Sequence, residues 1–239
     1  MFGFHSKSIY LADVLDGFYD VHCHLLPGVD DGAPDADHSL RLLGRMAEMG
    51  VKGLYMTPHI INGLYDNRDE EVLRSRFAGF GYSGPLDVRL AAEYFLDDNF
   101  MSHVGDKTLT MNGRHMLVEF SINGYSLRSF DMLFDATLSG FEVIIAHPER
   151  YPFVQSSGQD KVINLIKQYR LQLNLLSLAG YHGGSARKCA ERLLAERRYS
   201  FVGTDTHSMT YLDVLQRTKV SRKIFDAVNA LKENNRELF

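Results

Sequence analysis

The stretch YDVHCHLLPGVDDG, residues 19–32, decides how the rest of the chain is read. It closes a strand-like run with two histidines on alternate residues, and two adjacent aspartates follow shortly after. Alternate residues of a strand share a face, so His22 and His24 point the same way and Cys23 points to the other. A buried thiol is the reading for Cys23, since nothing in HCHLLPG supplies the phosphate loop that a cysteine nucleophile needs.

Working outward, β-rich runs recur at residues 18–24, 51–59, 88–95, 115–120, 141–149, 171–177 and 199–207. Helix-period segments separate several of them: Leu40, Leu43 and Ala47 ahead of a Gly50 stop, then residues 127–138, 162–169 and 186–194. Strand, helix and strand in alternation mean parallel pairing. Seven such units predict an α/β fold, a closed or nearly closed seven-stranded β/α barrel, with an open doubly wound sheet as the alternative. The 239 residues, 45% hydrophobic, suit a single domain over residues 1–239, with residues 1–17 as an N-terminal extension.

Composition removes several function classes. The net charge is −4 with acids and bases interspersed, and no basic run marks a nucleic-acid surface. Two cysteines, Cys23 and Cys189, make no disulfide framework. The N-terminal residues lack the apolar segment of a signal peptide, and no stretch is long enough to cross a bilayer, so a cytoplasmic location is expected.

Polar residues then fall at corresponding places along the strands. His22 and His24 end the first run, His59 the second, His147 the fifth, and Asp205 with His207 the seventh; Glu93 and Glu119 lie within the third and fourth. The carboxyl ends of barrel strands converge on one face, so these residues meet in a single bowl. Taken singly, each is a satisfied core histidine or an internal ion-pair partner. Taken together, several carboxylates and imidazoles at one face are costly to bury without cations, and divalent metals use those ligands. His5, His38, His103, His115 and His182 lack a paired neighbour and read as structural or solvated.

DVHCHLLPGVDDG, TPH at residues 57–59, AAEYF, LVEF, AHPERY at residues 146–151 and GTDTH at residues 203–207 resemble, in this order, the PHP (polymerase and histidinol phosphatase) superfamily. More narrowly, they are similar to its bacterial capsule-biosynthesis branch of metal-dependent protein-tyrosine phosphatases. The resemblance implies a distorted seven-stranded barrel holding three divalent metal ions, manganese first, with iron, zinc or magnesium as the other options. It implies that His22, His24, Glu93 and Asp205 hold one metal, that Glu93 bridges to a second held by Glu119 and His147, and that Asp31, His59 and His207 hold a third. Asp30 competes with Asp31 as ligand or orients the loop. Arg150 is implied as the phosphate clamp and Asp205 as part of the catalytic apparatus. The family's arginine after the last Asp-x-His pair is missing from DTHSMTYLDVLQR. Arg68 is the candidate substitute, although a solvated cap explains it as well.

The implied chemistry is phosphomonoester hydrolysis by a metal-generated hydroxide attacking phosphorus in line. A tyrosyl phenolate, with a conjugate-acid pKa of about 10, departs with little help, whereas an alkoxide needs an acid that this histidine assignment does not leave over. The expected partner is a phosphotyrosine protein, with a bacterial tyrosine autokinase as candidate. Two rivals stand beside this: a PHP small-molecule phosphatase of the histidinol-phosphate type or a phosphodiesterase, and a noncatalytic metal-stabilised interaction domain.

Overall fold

Runs rich in β-branched and aromatic residues, most of them buried on both sides, form strands that pair only in parallel in the computed structural model, which describes residues 9–65, 69–156 and 160–239; Asp87–Leu90 is the partly exposed one. The strands are β1 Tyr19–Cys23, β2 Gly53–Met56, β3 His59–Ile60, β4 Asp87–Leu90, β5 Glu93–Phe95, β6 His115–Glu119, β7 Glu142–Ala146, β8 Arg170–Asn174 and β9 Phe201–Gly203. The helices are α1 Ala36–Glu48, α2 Glu70–Phe80, α3 Leu127–Leu138, α4 Pro152–Gln155, α5 Asp160–Ile166, α6 Leu175–Leu178, α7 Gly184–Ala195, α8 Met209–Arg217 and α9 Arg222–Lys232.

The strands form two sheets, in the orders β1-β2-β4 and β3-β5-β6-β7-β8-β9. The seven expected runs become nine strands because two of them break. Residues 51–59 divide at Thr57 and Pro58, where proline offers no N–H to a ladder, and residues 88–95 divide at Ala91 and Ala92. Ala91 N still donates to Met56 O at 2.9 Å and Glu93 N to Pro58 O at 3.0 Å, so the break steps the sheet sideways. That step carries His59 and Glu93 into register with each other.

On the opposite side, β1 and β9 meet at an isolated parallel bridge between Cys23 and Thr206. Asp205 N donates to His22 O at 2.7 Å, and His24 N to Thr206 O at 2.9 Å. Below this seam Asp20 is buried and accepts from Thr204 N and Oγ1 at 2.9 and 2.5 Å. Burial pushes its carboxyl up to about 6 despite those bonds.

A bulge in β1 sets the phase of the site. Asp20 pairs with Leu54 and Cys23 with Met56, so β1 spends one residue more than its partner. Val21 therefore joins an inner apolar cluster with Leu117, Ile144 and Phe201, while His22 joins the polar site. The larger apolar cluster lies between strands and helices, where α1 contributes Leu42, Leu43 and Met46 and α7 contributes Cys189, Ala190 and Leu193. Part of the stretch read as an N-terminal extension belongs to this core: a 3-10 turn over Leu11–Leu15 buries Leu11, Val14 and Leu15, and Leu11 N donates to Thr218 O at 2.8 Å. Among the described residues no helix is long and apolar enough to cross a membrane.

Candidate metal centre

Four ligand atoms meet where β1, β5 and the residues after β9 converge. His22 Nε2 lies 3.1 Å from His24 Nε2, 3.2 Å from Glu93 Oε2 and 3.4 Å from Asp205 Oδ1. His24 Nε2 lies 3.4 Å from Glu93 Oε2 and 3.3 Å from Asp205 Oδ1. Both histidines have their other nitrogen committed. His22 Nδ1 sits 3.0 Å from Gln172 Oε1, an oxygen fixed as acceptor because the amide's Nε2 donates to Leu173 O at 2.6 Å. His24 Nδ1 sits 2.8 Å from Asp30 Oδ2.

With each Nδ1–H so engaged, neutral rings turn bare Nε2 lone pairs toward one another and toward two carboxylate oxygens. Four acceptors at this spacing repel unless positive charge lies among them. Donors about 2.1 Å from a shared cation stand about 3.4 Å apart when tetrahedrally disposed, and each of the two carboxylate oxygens lies 3.2–3.4 Å from both imidazole nitrogens. The residues therefore fit a divalent cation, and Gln172 and Asp30 are the supports that such imidazole ligands require.

The electrostatics agree. Burial pushes the His22 and His24 imidazoles down, but Glu93 and Asp205 at His22, and Asp30 at His24, override it and raise both. Burial pushes Glu93 and Asp205 up, and the facing imidazoles, His22 foremost, pull both well below the carboxylate range. Every shift favours positive charge at the centre of the cluster.

Two further groups extend from this one. Glu93 Oε1 meets His147 Nε2 at 2.9 Å, while Glu93 Oε2 and Glu119 Oε1 meet His59 Nδ1 at 3.1 and 3.0 Å; Glu119 Oε2 is 3.9 Å from His147 Nε2. Beyond them, Asp31 Oδ1 lies 3.5 Å from His59 Nε2 and 3.4 Å from His207 Nε2. His207 Nδ1 donates to Asp205 O at 2.8 Å, which leaves its Nε2 for that group. His59 thus faces two groups, one with each nitrogen, where the family resemblance gives it one. The aspartate doublet divides its labour: Asp31 faces the imidazoles, and Asp30 accepts from His24 Nδ1, His59 N and Gly32 N.

The backbone is held for this arrangement. His147 and Asp205 adopt left-handed conformations, φ 34° and 52°, which cost a non-glycine residue energy and gather at functional sites. Gly32 admits no side chain, since a Cβ would fall 1.8 Å from His24 O, and this contact brings the doublet back against the imidazoles.

Several participants were not legible as such. Arg150 Nη1 and Asn174 Nδ2 donate to Asp205 Oδ2 at 2.8 and 2.7 Å, so the arginine read as a clamp also grips a ligand carboxylate. His182, read as structural or solvated, lies with its Nε2 3.3 Å from Asn174 Nδ2, and burial with Arg150 nearby brings its pKa down to about 4. Gln172 and Asn174 alternate inside an otherwise apolar strand, the same signal that marks His22 and His24. His38, His103 and His115 pair with Asp35, Glu70 and Glu142, away from the metal groups. His5 and Arg68 lie outside the described residues.

Cys23 turns away from the cluster. Its thiol donates to Tyr55 O at 3.2 Å, and burial holds its pKa well above the usual range. Cys23→Ser should keep hydrolysis of p-nitrophenyl phosphate, if the cluster supports it, within about threefold of the parent, and iodoacetamide should leave the parent's rate unchanged. Loss of activity in both experiments would restore the thiol as nucleophile.

Comparison with known proteins gives the same direction. Residues 18–219 match the family model described as Capsular polysaccharide synthesis, CpsB/CapC. The tyrosine-protein phosphatase YwqE of Bacillus subtilis is 27% identical over 203 residues, 80% of this chain and 77% of that one. The tyrosine-protein phosphatase CpsB of Streptococcus pneumoniae is 26% identical over 144 residues, 58% of this chain and 59% of that one. A crystal structure from work on these two proteins, described as unique metal-dependent tyrosine phosphatases, superposes with a TM-score of 0.71 at 26% identity, covering 92% of this chain and 93% of the other. A phosphotriesterase homology protein from Escherichia coli shares the fold at a TM-score of 0.53 and 12% identity, covering 94% and 99%. With most of its length inside the matched model, the chain belongs to the CpsB/CapC family of capsular polysaccharide synthesis proteins.

Proposed function

We propose that this chain is a metal-dependent protein-tyrosine phosphatase that regulates capsular or exopolysaccharide synthesis. The observation that carries the proposal is a pair of imidazole nitrogens 3.1 Å apart, each 3.2–3.4 Å from an oxygen of Glu93 and from one of Asp205, with both outer nitrogens already committed. We infer three divalent ions, manganese foremost, held by His22, His24, Glu93 and Asp205; by Glu93, Glu119 and His147 with His59 alongside; and by Asp31, His59 and His207. The same reading takes the two sheets as one distorted seven-stranded barrel in a single domain, working in the cytoplasm opposite a tyrosine autokinase.

When bound, the cations neutralise phosphate charge and bring water toward ionisation near neutral pH. The chain's own part is positional. Asp30 and Gln172 fix two imidazoles, and Asn174 and Arg150 fix Asp205. Arg150 is 28% exposed, and only Nη1 of its guanidinium is hydrogen-bonded among the described residues. The remaining N–H groups suit a phosphate oxygen pair. His182 accepts from Asn174 at Nε2, so its proton resides on Nδ1, and with its pKa near 4 it is neutral. A neutral imidazole donates a hydrogen bond without serving as an acid, which matches a phenolate leaving group better than an alkoxide.

Turnover of phosphotyrosine peptide, phosphoserine peptide and histidinol phosphate by manganese-loaded protein tests this reading. Phosphotyrosine should lead by at least tenfold. Faster hydrolysis of histidinol phosphate would assign the chain to the small-molecule phosphatases instead. Arg150→Ala should raise KM and lower kcat/KM by about 30-fold, on the order of 2 kcal/mol for a lost charge-assisted contact, with metal content unchanged. Loss of a metal equivalent in that variant would make support of Asp205 its main role.

A further inference from the structure

A cavity of about 590 Å³ is lined by Asp31 and His207 of the third group. Leu42, Met209 and Tyr211 give it an apolar flank, and Arg41 of α1 also lines it. The position of Arg41 follows from the helix period: Leu42, Leu43 and Met46 face the core, which leaves residue 41 exposed.

Arg41 makes no hydrogen bond or salt bridge among the described residues. Its acidic neighbour Asp35 is already engaged, accepting from His38 N at 2.8 Å and pairing with His38 Nδ1 at 2.7 Å. Arg45 pairs with Glu48, Arg128 with Asp98 and Arg187 with Glu191, whereas Arg76 and Arg197 share Arg41's lack of a side-chain partner among the described residues, and only Arg41 of these three lines a cavity that Asp31 and His207 also line. An uncommitted guanidinium lining a cavity beside the reaction centre has the fork geometry that a carboxylate needs. The space is of the size that accommodates a ligand larger than a phenyl phosphate, so a neighbouring side chain fits beside the ring.

We propose that this cavity receives the residue next to phosphotyrosine in the substrate and that Arg41 selects an acidic side chain there. The inference rests on the phosphotyrosine-protein reading and deepens it: the metal groups and Arg150 take the phosphoryl group, the apolar flank takes aliphatic carbon, and Arg41 meets the carboxylate. It places part of the substrate preference on α1, a helix that supplies none of the ligands.

Steady-state hydrolysis by manganese-loaded protein tests it, with phosphotyrosine peptides flanked by Glu, Gln or Lys and with p-nitrophenyl phosphate. The parent should favour the Glu peptide over the Gln peptide by at least fivefold in kcat/KM, mostly through KM. Arg41→Ala should bring the Glu peptide down to the Gln level and leave p-nitrophenyl phosphate within twofold. Arg41→Glu should favour the Lys peptide, and Arg41→Lys should keep part of the preference. Equal rates across the three peptides in the parent, or an Arg41→Ala loss shared equally with p-nitrophenyl phosphate, would overturn this proposal alone. Failure of the parent to hydrolyse any phosphotyrosine peptide while it still hydrolyses p-nitrophenyl phosphate would overturn the underlying reading, and this proposal with it.

Discussion

Glu93→Gln should lower kcat/KM by at least about three orders of magnitude, equivalent to about 4 kcal/mol of transition-state stabilisation, and should release metal. The substitution keeps the shape of the side chain and removes its charge. One oxygen of Glu93 lies 3.1–3.4 Å from nitrogens of His22, His24 and His59, and the other lies 2.9 Å from His147. Among the described residues no other carboxylate reaches so many of the imidazoles. An amide there offers one neutral oxygen and turns an NH₂ group toward ligand nitrogens, so two of the three proposed positions weaken together. Elemental analysis of the purified variant beside its rate on p-nitrophenyl phosphate is the check. Full metal content with a rate within tenfold of the parent would mean that Glu93 serves only as an ion-pair partner for charged imidazoles.

Chelation should abolish turnover and lower the melting temperature together. Without cations, Glu93 and Asp205 stay buried beside three or more imidazoles, and only protons remain to balance them. A ligand present at a thousand times its dissociation constant adds about 4 kcal/mol to the folded state. A chain of this size shifts by about 2–4 °C per kcal/mol, so a drop of roughly 10 °C is expected for one tight site. Calorimetry before and after dialysis against a chelator, with manganese restored afterwards, measures it. Unchanged melting with unchanged hydrolysis would overturn the metal-dependent reading altogether.

The residues proposed as ligands were more visible in the sequence than the groups that hold them in place. His22, His24, His147, Asp205 and His207 announce themselves because polar side chains at the ends of apolar runs are costly unless used. The stepped sheet is a different matter. Pro58 gave a hint of the first break, but nothing in Ala91 and Ala92 marks the second, which depends on register with the neighbouring strand. The β1 bulge is invisible for the same reason: which face Val21 takes is decided by Leu54 and Met56 across the ladder. Asp30 and Asp31 are alike in sequence, and only the close approach of Gly32 to His24 separates them. His182 follows a helix of four residues in a glycine-rich turn, so its place beside Asn174 is a product of tertiary structure. Helix α2 went unread because it buries little apolar surface beyond Leu73, whereas α8 and α9 went unread although Leu212 with Leu215, and Val228 with Leu231, keep helical spacing.

The seam between β1 and β9 also sets the order in which the molecule can be made. Its bonds are donated by the backbones of His24 and Asp205 themselves, and beneath it Asp20 waits 184 residues for Thr204. A ribosome therefore releases His22, His24, Asp30 and Glu93 long before Asp205, the remaining carboxylate of the group, exists. Contacts this distant in sequence carry a loop-closure cost that is repaid only once they form, so the group is completed only after β9 has been made. Any fragment that stops short of residue 205 carries His22, His24 and Glu93 without the fourth member of the group.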